Sequence, residues 1–133
     1  MGKKKGGKNK QSVIPHKEAM LRMNFLYQAA YTAVDSAESF STSRYYINTM
    51  KTIAKKLVLR IDPSMKRTVC KRCNTLLIPG KTSSSRLRSR REKHVVVKCW
   101  TCGMVKRYKT APGYALWCDR SENIIQKTDT IDP

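Results

Sequence analysis

Acidic residues are scarce in this chain. Asp and Glu together number 9 against 28 Lys and Arg, leaving a formal net charge of +19 in 133 residues. The few carboxylates are scattered, which argues against a two-metal carboxylate cage of the kind that hydrolyses phosphodiesters. Long apolar runs are also missing. None approaches the ~20 residues of a membrane span. Gly2 is followed by Gly6 at the sixth position, so the myristoylation pattern fails. No apolar signal segment precedes the cysteines, and the expectation is a soluble, reduced, intracellular protein whose partner is a polyanion, not a membrane.

What the chain does have is two C-x-x-C pairs, Cys70-Lys-Arg-Cys73 and Cys99-Trp-Thr-Cys102, separated by 25 residues. Two thiolates can grip one metal from this spacing only if the chain turns back after the second cysteine. Such turns favour positive φ, which Gly accepts and Asn tolerates. Asn74 and Gly103 stand at those two places. The pattern predicts one structural Zn²⁺ held by Cys70, Cys73, Cys99 and Cys102 in a zinc ribbon. Disulfides would suit a secreted chain, and a redox C-x-x-C needs a βαβ context that is absent. His16-Lys17-Glu18 matches the H-x-E of zinc deaminases. However, no Pro precedes either cysteine pair, and four thiolates leave no position for water. Cys118 is read as a thiol outside the metal site.

Composition divides the chain into four parts. Residues 1–14 read as a basic disordered tail, with five lysines that suit an RNA-contacting arm, a nuclear import signal or a solubilising tail. Residues 15–62 read as two antiparallel helices, the first opening with Pro15 at its first position. Met20, Met23, Tyr27, Ala30, Tyr31 and Val34 form one apolar stripe. After a break at Ser36 to Thr42, capped by Ser41 or Thr42, Tyr46, Met50, Ile53, Ala54 and Leu57 form the other. Lys51, Lys55 and Lys56 lie off the stripe, facing water or RNA. Two helices cannot cover all of this surface, with Phe25, Leu26 and Tyr45 left over. A protein partner is therefore expected on a face drawn from Met23, Phe25, Leu26, Tyr27, Tyr31, Tyr46, Met50 and Leu57.

Asp62-Pro63 ends the helices and opens the ribbon, residues 63–118. Three strands are expected, at Thr75 to Ile78, Val95 to Cys99 and Met104 to Lys109, with the serine- and arginine-rich segment of 80–94 a flexible loop. Residues 119–133 read as a loose polar tail. A core this small needs its metal to fold. The cations cluster: Lys66, Arg67, Lys71 and Arg72 at the first knuckle, Lys106, Arg107 and Lys109 after the second, and Arg86, Arg88, Arg90, Arg91 and Lys93 between them. Together they offer contacts to an RNA backbone. Trp100 packs over its knuckle or stacks on a base, and Trp117 forms an apolar lid.

The blocks Met23–Ala30, Ile53–Arg60, Asp62–Cys70 and Leu76–Gly80, the second knuckle, Leu116-Trp117 and Asp119-Arg120 are more specific than C-x-x-C alone. Over roughly residues 18 to 120 the chain resembles the zinc-ribbon protein subunit of nuclear ribonuclease P, shared by archaea and eukaryotes, most of all its animal form. The resemblance implies an α plus small β fold and a subunit that cleaves nothing. The enzyme's RNA positions Mg²⁺ and removes the 5′ leader of precursor tRNA, while this subunit helps hold both RNAs. It also implies a partner subunit with an Sm-like barrel docked on the helices, and a nuclear, nucleolar location. A subunit shared with ribonuclease MRP and a DNA-binding zinc ribbon of the transcription machinery are the alternatives.

Overall fold

The computed structural model describes residues 15–36 and 39–123. The two tails read from composition lie largely outside them. Two long helices, α1 (Lys17–Asp35) and α2 (Phe40–Lys56), are followed by a short α3 (Pro63–Thr68). A sheet of β1 (Ser83–Arg88), β2 (His94–Cys99) and β3 (Val105–Lys109) comes next, and then two single 3-10 turns, Trp117–Asp119 and Ser121–Asn123. No helix among the described residues is long and apolar enough to cross a membrane.

Helices α1 and α2 pack on each other through Met23, Leu26, Ala30 and Val34 on one side and Ile47, Met50 and Ala54 on the other. The steps of three and four residues are the expected ones, but each stripe is rotated. Leu26 and Ile47 are central, whereas Met20 is exposed and Tyr27 and Tyr31 lie at the edge. Burying a side chain the size of Ile47 contributes about 1.5–3 kcal/mol. Alanines at 30 and 54 let the helices approach closely. Pro15 stays outside α1 because His16 takes a left-handed turn at φ 60°. Ser39 occupies the N-cap of α2, so Ser41 and Thr42 fall inside its first turn.

Val69 and Leu76 complete this core, and the Tyr27 hydroxyl bonds to the Thr68 hydroxyl at 2.7 Å. The ribbon thus covers part of the helical surface that sequence left unmatched. Met23, Leu26 and Met50 are buried in the chain's own core and leave the set available to a partner. Phe25 and Tyr45, each 67% exposed, remain outside it, joined by Leu21 and Phe40. α2 ends in a Schellman turn: Leu59 N–H donates to Ala54 O at 2.9 Å and Val58 N–H to Lys55 O at 3.3 Å. Val58 itself sits at φ 54°, where Gly is the usual occupant.

Three expectations for the second half are corrected. Pro63 does not open the ribbon directly but starts α3, because the Asp62 carboxylate caps it by accepting from Ser64 N–H at 2.9 Å. Residues 75–78 form no strand. Leu76 makes a single bridge to Val69, since the first knuckle pairs only with its own other arm. The segment read as a flexible loop instead supplies β1, antiparallel to β2 with Arg86 opposite Val96 and Arg88 opposite His94. As an edge strand it needs only backbone pairing on one side, and its charged side chains suit an unpaired edge. β2 lies in the centre, with Val96 also opposite Arg107 of β3.

Candidate metal centre and basic sheet face

The two cysteine pairs are built by one repeated device. Cys70 N–H donates to Thr75 O at 2.8 Å and Asn74 N–H to Cys70 O at 3.2 Å. In the second knuckle Cys99 N–H donates to Met104 O at 2.9 Å and Gly103 N–H to Cys99 O at 3.0 Å. Asn74 at φ 60° and Gly103 at φ 73° make the sharp turns that their sequence positions predict.

The result brings four sulphurs within 4.8 Å of one another. Cys70 Sγ lies 3.4 Å from Cys102 Sγ, and Cys73 Sγ 3.6 Å from Cys99 Sγ. Thiolates at ~2.3 Å around a tetrahedral zinc stand about 3.8 Å apart, so the cluster is close enough to hold a metal ion and its donor set fits structural zinc. Burial raises the Cys73 thiol, but hydrogen bonds from the Thr75 hydroxyl and N–H and from neighbouring thiols outweigh it, bringing its pKa down to about 6. At Cys102 the Met104 N–H opposes the shift, yet burial and the three neighbouring thiols hold the proton on and push its pKa up to about 12. Cys118 stays out of the cluster, its sulphur 3.5 Å from an Arg67 nitrogen.

Cations brace the first knuckle from two sides. From α2, Arg44 Nε donates to Cys73 O at 3.1 Å, and Lys51 Nζ to Cys70 O at 3.4 Å and to the Asn74 side-chain carbonyl. From β3, Lys106 Nζ donates to Val69 O at 2.6 Å and Lys66 O at 3.0 Å. Burial lowers the pKa of both lysines, against the attraction of the nearby thiolates. Lys51 therefore does not simply face water or RNA, and Lys106 is occupied by backbone. Arg67 is partly spent as well, its guanidinium 5.9 Å from the Tyr108 ring centre.

Other cations remain free. The two-residue period of the strands puts Arg86 and Arg88 of β1, His94 and Lys98 of β2 and Arg107 of β3 on one face, where with Trp100 they line a cavity of about 710 Å³. Val96 and Val105 form its apolar floor. Among the described residues the side chains of Arg86, Arg88, Lys98 and Arg107 enter no ion pair. Lys109 is paired with Glu92 at 3.1 Å. Lys66, Lys71 and Arg107 line a second groove, of about 650 Å³, over Met50, Met65 and Met104. Lys71 and Arg72 lie beside Cys102 and Gly103 of the second knuckle. The cations named from sequence are thus divided over several faces. Arg90 and Arg91 sit in the turn between β1 and β2.

Sequence reasoning overlooked His94 and Lys98 in this face, and the bracing by Arg44. The signal was present in Ser84, Arg86 and Arg88, an alternation that reads as one face once the segment is taken as a strand. Trp100 is 55% exposed and lines the cavity on that face. Trp117 is no lid, being 70% exposed.

Residues 22–103 match the family described as the RNAse P Rpr2/Rpp21/SNM1 subunit domain. Ribonuclease P protein subunit p21 of Mus musculus is 43% identical over 122 residues, covering 90% of this chain and 81% of the mouse protein. The Homo sapiens p21 subunit is 45% identical over 111 residues, covering 82% and 72% respectively. Among solved structures, a chain in the cryo-EM structure of archaeal ribonuclease P with mature tRNA superposes with a TM-score of 0.68 at 28% identity. That match covers 77% of this chain and 85% of the archaeal one. The chain described here belongs to the Rpr2/Rpp21/SNM1 family of ribonuclease P subunits.

Proposed function

We propose that the protein is a non-catalytic RNA-binding subunit of the ribonuclease P ribonucleoprotein. It supports the catalytic RNA and the binding of precursor tRNA for removal of the 5′ leader. The observation that carries this reading is the unpaired cationic sheet face mounted beside a four-thiol centre, in a chain of this family. Zinc on the four cysteines acts as a structural cross-link, and a tetrahedral four-thiolate site keeps no position open for a reacting water. Mg²⁺ and the cleavage chemistry belong to the RNA.

The chain's own residues bind and orient. Arg86, Arg88 and Arg107 meet phosphates on the sheet, with Lys66, Lys71, Arg72, Arg90 and Arg91 extending the contact and Arg67 and Lys109 at its margin. Phosphate contacts of this kind fix position without reading sequence. Phe25, with Tyr27, Tyr31, Tyr46 and Leu57 at the helix margins, meets a partner subunit with an Sm-like barrel. The place of work is the nucleus, within it the nucleolus.

The test is to purify the tagged protein from its own cells and sequence the RNA that accompanies it. Ribonuclease P RNA together with precursor tRNAs is the expected result. Promoter DNA, or no nucleic acid, would overturn the reading.

A further inference from the structure

We infer that the sheet face binds an unpaired RNA strand, with one base stacked on the Trp100 indole and the adjoining phosphates on Arg86, Arg88 and Arg107. The inference rests on the RNA-binding reading above and narrows it from RNA in general to single-stranded RNA.

The main chain that carries the platform is anchored. Trp100 lies between two cysteines of the metal centre, and its backbone N–H donates to Thr82 O at 3.0 Å. The residue is more than half exposed, so its ring is open to a stacking partner. It stands at the end of a trough whose floor is Val96 and Val105 and whose sides are cationic. Arg86 and Arg107 flank Val96 from the two outer strands, about 10 Å apart at the backbone given strand spacing. No carboxylate lines this cavity. At about 710 Å³ it falls in the range of pockets that enclose small ligands, about 300–1,000 Å³.

That combination suits a single strand better than a duplex. An aromatic face beside a positive groove is how unpaired strands are held without sequence preference, because every base has a π-face. An A-form duplex stacks its bases inward and presents phosphates and 2′-hydroxyls. It could use the arginines but would leave the indole and the valine floor without partners. The His94 ring, anchored through Nδ1 to Glu92 O at 2.7 Å, offers a second flat surface further along the same face.

The test uses the zinc-loaded full chain carrying Trp117→Phe, which leaves Trp100 as its sole indole. The probes are an oligouridylate of about ten nucleotides and a blunt RNA duplex of equal phosphate number. The oligouridylate is expected to quench Trp100 fluorescence and the duplex to leave it unchanged. Trp100→Ala should weaken oligouridylate binding roughly tenfold or more, with duplex binding unaltered and Trp100→Phe restoring most of the loss. Zinc content shows whether Trp100→Ala is folded; if it is not, the quenching comparison alone decides. Equal quenching by both probes, or strand binding without quenching, overturns the inference. If strand binding depends on Arg86 and Arg107 but not on Trp100, the inference falls while the RNA-binding reading stands. If neither RNA binds, both fall.

Discussion

Lys106 points its ammonium at the backbone carbonyl of Val69, 2.6 Å away, and so ties β3 to the first metal knuckle. Its neighbour Arg107 falls on the other face of the same strand by the two-residue period and lines the cationic trough, reaching the edge of the second groove as well. Two adjacent cations therefore have different jobs. Lys106→Ala should lower stability by about 1–3 kcal/mol, the range for losing a charged hydrogen bond at a half-buried carbonyl. Its effect on the salt dependence of RNA binding should be small. Arg107→Ala should do the reverse, reducing the salt slope by roughly 0.7–0.9 with little change in stability. Denaturant midpoints and binding at several salt concentrations check both, and an equal loss of slope in the two variants would contradict the division.

Val58 is a β-branched residue in a conformation that favours glycine, at the closing turn of α2, and is 87% exposed. Val58→Gly removes the left-handed strain and sacrifices almost no packing. After the entropy cost of glycine, the net gain should be roughly 0.5–1 kcal/mol. A fall in the unfolding midpoint would mean that the valine makes a contact not visible in the isolated chain.

Cys73→Ser should abolish metal binding and with it the ordered ribbon. Metal binding that accompanies folding is worth on the order of 10 kcal/mol at neutral pH in small cysteine-rich modules. Chelation of the wild-type protein should likewise unfold residues 63–118. Wild-type zinc content in the variant, or unchanged protease resistance after chelation, would refute the four-thiolate assignment.

Protons and zinc compete for the same sulphurs. In the metal-free cluster Cys73 titrates at about 6, whereas Cys102 keeps its proton to about 12. Zinc must displace the protons still bound, so its affinity should fall as pH falls, most clearly when Cys73 too becomes protonated below about 6. Zinc titrations at pH 5.5 and pH 8 read this directly. Equal affinities would rule out thiolate ligation.

Phe25 and Tyr45 together are prominent among the exposed apolar groups of the helices. Changing both to Ser should leave stability within about 0.5 kcal/mol, as for other surface positions. Under the proposed docking on this face, capture of a partner subunit should fall at the same time. Undiminished capture would place that partner elsewhere.

The metal centre was legible in the sequence because its chemistry is local: two short pairs, each with its own turn residue. The helices were legible for the same reason, though not their rotation. Whether Leu26 or Met20 faces inward depends on Val69 and Leu76, which arrive from forty or more residues away. Strand β1 was hidden by its composition. Ser83 to Arg88 carries one apolar residue, Leu87, which is itself exposed, so burial gives no periodic signal. Its strand character comes from the backbone of β2, a partner that local pattern does not reveal. The basic trough followed from that pairing and was lost with it.

Each knuckle is clasped by two main-chain bonds of its own, Cys70 N–H to Thr75 O with Asn74 N–H to Cys70 O, and Cys99 N–H to Met104 O with Gly103 N–H to Cys99 O, while Trp100 N–H reaches Thr82 O at the base of the β1–β2 hairpin. None of these bonds involves the tip of the hairpin. The β1–β2 hairpin that carries Arg86 and Arg88 can therefore grow or shrink at its tip, around Ser89 to Lys93, while the clasps stay the same. For the proposed contact with RNA, the reach of the cationic hairpin is adjustable independently of the clasps that anchor it.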